Sequence, residues 1–106
     1  METSNKTRKI IYFYGNGCPF CATIESAVGK LEEEDDVQFE RLEVWRGGRT
    51  EREYNKENQN RMETLKHHYE QNCGGNMIVP SFYDTEGDRL ICNPGSYENL
   101  KSWIFD

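Results

Sequence analysis

The stretch Arg8 to Tyr14, RKIIYFY, constrains the fold more than any other part of this chain. It is rich in β-branched and aromatic residues, and Ile10 to Tyr14 is an unbroken apolar run. Such a run suits a central strand covered on both faces. Gly15-Asn16-Gly17 ends it. A helix follows at once, with Phe20, Ile24, Ala27, Val28 and Leu31 forming one apolar stripe at helical spacing. The acidic run Glu32 to Asp36 closes that helix. Those charges sit at the wrong end for the helix dipole and read as solvated and weakly destabilising. Val37 to Trp45, VQFERLEVW, reads as a second strand. Val37, Phe39, Arg41, Glu43 and Trp45 fall on one side of it, and Gln38, Glu40, Leu42 and Val44 on the other. Strand, helix and strand within ~30 residues make a βαβ unit, with parallel strands and a right-handed crossover.

The remainder is more polar. Arg46 to Arg61 has few apolar residues, and Gly47-Gly48 marks a turn. Thr50 and Glu53 have capping-box spacing, as do Asn60 and Glu63 in a looser form. Met62, Leu65 and Tyr69 define a helix from about residue 60 to Asn72, stopped by Gly74 and Gly75. Val79 to Asp84 and Asp88 to Cys92 read as a hairpin around Thr85-Glu86-Gly87. Pro94 and Gly95 end it. Ser96 then caps a last helix with Tyr97, Leu100, Trp103 and Ile104 on its apolar face. The expected order is β-α-β-α-β-β-α: one α/β domain over residues 1–106, with a four-stranded mixed sheet and three helices. Residues 1–7 are a polar lead-in, and 46–59 is a polar segment that need not be regular. A chain of 106 residues suffices for one domain with its own core. Its formal net charge of −6, without a basic cluster, argues against nucleic-acid binding. No window of ~18 apolar residues would span a membrane. No apolar leader opens the chain, and a removed targeting segment stays open.

The chemistry is concentrated in Cys18-Pro19-Phe20-Cys21, directly after a strand and opening a helix. The reactive form of cysteine is the thiolate. Unpaired N–H groups and the dipole at a helix start favour negative charge on Cys18. Pro19 suits the first helical position, where its missing N–H costs nothing. Cys21 lies one turn on, on the same face, placed to attack a mixed disulfide at Cys18. Phe20 is expected to shield the pair. The rival reading is half a zinc site, completed by Cys73 and Cys92 with His67 and His68 nearby. That spacing matches no common zinc pattern, so no metal is expected. Cys73 reads as a third redox cysteine or as a plain helix-end residue before a glycine cap. Cys92 reads as a small buried hydrophobe. Whether the two are bridged is a matter of distance. His67 and His68 read as residues near a helix C-terminus, favourable to its dipole. Trp45 and Trp103 read as core residues or half-exposed anchors, and Tyr12, Phe13 and Tyr14 as core residues of the first strand, Tyr14 alternatively bordering the site.

The strand–Cys-Pro-Phe-Cys–helix arrangement resembles the active site of glutaredoxins, whose motif is Cys-Pro-aromatic-Cys. Val79-Pro80 matches a second signature of the thioredoxin superfamily, a cis-proline just before the third strand. The element order agrees as well, so the resemblance spans nearly the whole chain. It implies a thioredoxin-like fold and a thiol–disulfide oxidoreductase. Pro80 would be cis and lie against Cys18 and Cys21. The Val79 backbone would pair with an incoming peptide or glutathione beside Pro19 and Phe20. Gly95-Ser96, at the start of the last helix, would take a glutathione carboxylate. The chain departs from glutaredoxins in having Gly15-Asn16-Gly17 where a basic residue usually stands. It also has a longer link between the second and third strands. It departs from thioredoxins in lacking an acid in the first strand. The implied partners are protein disulfides or glutathione as co-substrate, and a reductase system. No tightly bound cofactor, nucleic acid or membrane is expected, and the chain is read as a monomer of the cytoplasm or another reducing soluble compartment. Two rivals are a non-catalytic binding module of the same fold and, more weakly, a metal or iron–sulfur carrier.

Overall fold

Ile10, Tyr12 and Phe13 are almost fully removed from solvent, and Ile11 nearly so, because helices pack on both faces of the strand that carries them. The computed structural model describes residues 8–34, 37–47 and 51–105. In chain order it contains β1 (Arg8–Asn16), α1 (Pro19–Glu34), β2 (Val37–Gly47) and β3 (Arg52–Tyr54). It continues with α2 (Lys56–Glu63), α3 (Lys66–Asn72), β4 (Ser81–Asp84), β5 (Arg89–Cys92) and α4 (Tyr97–Phe105). The sheet runs β3-β2-β1-β4-β5. β1 pairs parallel with β2 and antiparallel with β4, so it is central, and β4–β5 is an antiparallel hairpin. Alternation along β1 divides the core. Ile10 and Tyr12 join Ile24, Val28, Leu31 and Leu100 on the α1/α4 face. Ile11 and Phe13 join Val44, Met62, Tyr69 and Leu90 on the α2/α3 face.

The α/β class agrees with the sequence; the element count does not. There are five strands and four helices among the described residues, against the expected four and three. The added strand lies in the segment read as polar and irregular. β2 runs on to Gly47, whose φ of +104° is open to glycine. The chain then returns, and Arg52 to Tyr54 pair antiparallel with Trp45 to Gly47. Glu53 is therefore in a strand, not a capping box; its proposed partner Thr50 lies outside the described residues, as do Gly48, Asp35, Asp36 and the lead-in 1–7.

The helix expected over 60–72 is two helices. Asn55, not Asn60, caps α2, its side chain accepting the Asn58 N–H at 3.0 Å. Asn60 and Glu63 lie inside α2. At its end the Thr64 hydroxyl donates to the Arg61 carbonyl at 2.6 Å, and the Leu65 N–H reaches back three residues to Met62 at 2.9 Å. That tighter turn breaks the ladder before α3 starts at Lys66. The side assignment of Trp45 also changes. The β1–β2 register passes from Tyr14↔Glu43 to Gly15↔Trp45, so Val44 is an extra residue. This bulge puts Trp45 with Leu42 and Val44 rather than with Val37 and Phe39.

The last helix forms as expected. Ser96 Oγ accepts the Asn99 N–H at 3.1 Å, and Leu100 and Ile104 are buried, with Tyr97 and Trp103 partly so. Among the described residues no helix is long and apolar enough to cross a membrane.

Candidate active site

The turn between β1 and α1 is built by glycines. The Trp45 indole occupies the space a Cβ would need at Gly15. Gly17 has φ +107°, and a Cβ there would come within 2.6 Å of the Gly47 carbonyl. The backbone can therefore curl under β2, and the Cys18 N–H closes onto the Gly15 carbonyl at 3.1 Å. Pro19 is the first residue of α1. This places Cys18 where the first turn of the helix has N–H groups to spare.

The two sulfurs are held differently. Cys18 Sγ accepts the Cys21 backbone N–H at 3.2 Å and approaches the Val79 carbonyl at 4.0 Å. Cys21 faces the core, with Sγ accepting the Gly15 N–H at 3.5 Å. Both are largely buried, but Cys18 forms part of the wall of a cleft of about 400 Å³. Burial pushes the Cys21 thiol up to about 12, reinforced by its hydrogen bond to Cys18 and opposed by the Gly15 N–H. Cys21 is thus kept as a thiol. A shallow groove of about 180 Å³ on the other side of the pair is lined by Tyr14 and Glu25 along with Cys18 and Cys21. Tyr14 is partly buried against the core and also lines this groove. Beneath it, the Tyr12 hydroxyl donates to the Cys21 carbonyl at 3.4 Å. Burial raises the Tyr12 phenol, and the nearby Glu25 charge adds to the rise, so it stays protonated.

The Val79–Pro80 peptide is cis. Val79 lines the Cys18 cleft, and Pro80 is buried beside it in the chain. Phe20 differs from expectation. Cys21 takes the inward position of the helix with Ile24, Val28 and Leu31, so Phe20, one residue earlier, turns outward and is 61% exposed. It forms a rim of the cleft, with Met77 and Ile78 opposite, both also exposed.

Two wall residues were not read from the sequence. Trp45 lines the cleft because of the bulge, and Arg52 lies over its indole, 3.9 Å from guanidinium carbon to ring centroid. A cation thus lines the same cleft as Cys18, although Gly15, Asn16 and Gly17 are the residues directly before that cysteine. The only local signal was a glycine turn after a strand, followed by three residues able to return as a hairpin. A second hollow of about 330 Å³ by Gln59, Asn60 and Glu63 adjoins the cleft through Met77. Another hollow, of about 540 Å³, is lined by Lys9, Val37, Gln38 and Arg61 and contains neither cysteine.

Gly95 and Ser96 are not among the residues lining the Cys18 cleft. The Ser96 hydroxyl caps its own helix. Their turn is nonetheless tied toward the site, since Asn93 donates its N–H to the Pro80 carbonyl at 2.8 Å. Cys73 is neither a free third thiol nor a plain cap. It is disulfide-bonded to Cys92, with Cα atoms 6.0 Å apart. Gly74 and Gly75 after it both have positive φ and end α3, with the Gly75 N–H on the Tyr69 carbonyl at 3.0 Å. His68 is buried, and its Nε2 meets the Asp88 carboxylate at 2.8 Å, joining α3 to the β4–β5 turn. Tyr83 donates to the same oxygen at 2.6 Å. Among the described residues no group of three or more His, Cys, Asp or Glu side chains is arranged to hold a metal ion.

Comparison of the chain with protein-family models, with curated proteins and with solved structures finds no match.

Proposed function

We propose that the protein is a thiol–disulfide oxidoreductase of thioredoxin-like fold, nearest to glutaredoxins, using Cys18 and Cys21. One observation carries the reading: two unbonded cysteines one helical turn apart, one facing a cleft and one kept protonated behind it. Support comes also from the β1–α1–β2 unit, the β4–β5 hairpin and α4, which follow the order that resemblance implies. β3 and the division of the second helix are elaborations of that plan.

The Cys18 thiolate attacks one sulfur of a substrate disulfide. An S–S bond forms to Cys18, and the first substrate thiol leaves. Cys21 then gives up its proton and attacks Cys18 Sγ, forming the Cys18–Cys21 disulfide and releasing the second substrate thiol. Two electrons pass from the chain to the substrate, and glutathione or a reductase system restores the dithiol. Negative charge on Cys18 is met by the Cys21 N–H at 3.2 Å and by the helix start. The Val79 backbone at the cleft wall offers an incoming peptide a strand-like partner.

The test is turnover of a mixed disulfide by the reduced protein. Wild type is expected to reduce it, Cys18→Ser to be inactive, and Cys21→Ser to accumulate covalent adducts that a reductant frees. Adducts that form equally on Cys18→Ser, or partners retained regardless of reductant, favour a binding module instead.

A further inference from the structure

The segment between α3 and β4 carries Met77, Ile78 and Val79, one wall of the Cys18 cleft. Residues 74–78 are all exposed, so the segment buries little of its own to fix its position. Its internal bonding is sparse, with the Gly75 N–H on Tyr69 and the Ile78 N–H on Asn76 at 3.1 Å. Its place therefore depends on its ends. One end is Cys73, the residue that closes α3. The other enters β4 at Ser81, which lies directly opposite Cys92 in the ladder with β5. The Cys73–Cys92 disulfide thus joins the start of the segment to the strand beside its finish. Asn93, next to Cys92, holds the Pro80 carbonyl at 2.8 Å.

The same bridge is not what holds the domain together. Tyr69 and Ser81 share a buried hydrogen bond of 2.7 Å, and His68 meets Asp88 at 2.8 Å. Leu65, Tyr69 and Leu90 pack in one core cluster. Opening the bridge would leave these in place and release the last turn of α3, with its two positive-φ glycines, and the wall beyond it. Cys73 and Cys92 pack against that cluster but are each only partly buried, so the bridge is not sealed inside the core.

We propose that Cys73–Cys92 is a second thiol–disulfide exchange site, a staple whose opening by a dithiol loosens the wall that receives substrate at Cys18. In the step, one thiol of the reductant attacks a bridge sulfur and the Cys73–Cys92 bond breaks. The second thiol then displaces the protein from the mixed disulfide. Cys73 and Cys92 end as thiols, the reductant as a disulfide, and two electrons and two protons have moved to the protein. The role in substrate reception rests on the function proposed above; the loosening itself does not.

The experiment compares wild type with Cys73→Ser/Cys92→Ser by amide hydrogen exchange and by turnover of two substrates, a peptide disulfide and hydroxyethyl disulfide. A parallel titration of wild type with dithiothreitol, read by alkylation and mass spectrometry, follows the bridge directly. Faster exchange is expected at residues 72–79, with β1 and α1 unchanged. KM for the peptide should rise roughly five- to tenfold, as when a couple of side chains must be ordered on binding. Turnover of the small disulfide should be unaffected. Unchanged exchange at 72–79, equal loss on both substrates, or a bridge that opens only as far-UV dichroism is lost would each overturn the staple. If wild type turns over neither disulfide, the oxidoreductase reading fails, while exchange and titration still judge the staple.

Discussion

Cys18 and Cys21 are the same residue one turn apart, and their surroundings divide the work between them. The Cys21 thiol is pushed up to about 12 by burial first and by its hydrogen bond to Cys18 second. Reduced protein treated with iodoacetamide near neutral pH should therefore be alkylated at Cys18 well ahead of Cys21, with Cys21 catching up only in strongly alkaline solution. Peptide mass spectrometry measures this, and equal labelling near neutrality would contradict it. Asp84 shows the same logic for stability. Its side chain is buried in β4, where Arg8 and Arg89 meet it at 3.2 and 3.0 Å and the Glu86 and Gly87 N–H groups at 3.0 and 3.2 Å. Burial alone would raise its pKa; the bond from Arg89 and the two N–H groups outweigh burial and hold it below the ordinary value. Because the folded pKa is depressed, the stabilisation is complete above the ordinary carboxylate range and is lost as pH falls through the folded value. Asp84→Asn should cost about 2–3 kcal/mol near neutral pH, less than a fully buried pair because both arginines are partly solvated. In urea melts that gap should narrow as the solution is acidified.

At the scale of elements, features set by neighbours in sequence were legible and features set by neighbours in space were not. The apolar run of β1, the α1 stripe from Ile24 to Leu31, the β4–β5 hairpin and the capped α4 follow local rules. So does the placing of Cys18 and Cys21 at the start of α1. The bulge at Val44 is a property of the β1–β2 pair, and β3 has only three residues and no apolar pattern, since all three are exposed. Trp45 and Arg52 entered the cleft wall only through these features. For the same reason the partner of Cys73 was not readable. The break at Thr64 is the exception: it is local, a hydroxyl bonding to the carbonyl three residues earlier, but the apolar stripe of Met62, Leu65 and Tyr69 runs across it. The caps can be tested singly. Asn55→Ala removes the acceptor of the Asn58 N–H and should lower stability by about 1 kcal/mol, read as a fall in Tm. Alkylation of Cys18 should be unaltered, because no residue of α2 lines the Cys18 cleft itself.

For the molecule as a whole, a formal net charge of −6 sets the long-range field. Reduction of a dianionic aromatic disulfide should speed up as salt is added, since screening weakens repulsion before the encounter. The rate with neutral hydroxyethyl disulfide should stay flat over the same series; parallel behaviour of the two would assign the salt effect to something other than charge. The sheet also has a consequence at this scale. The outer side of β2 is met by β3 over Trp45 to Gly47, by the Asn55 N–H at the Val44 carbonyl, by the Asn58 amide at the Glu43 carbonyl, and by Arg61 on Glu40. A foreign strand seeking to zip onto the Glu43–Gly47 stretch of this flank would have to evict protein groups already bonded there, where on a bare flank it would only displace water. Crowded or partly denaturing conditions should thus leave that stretch a poor template for growing fibrils.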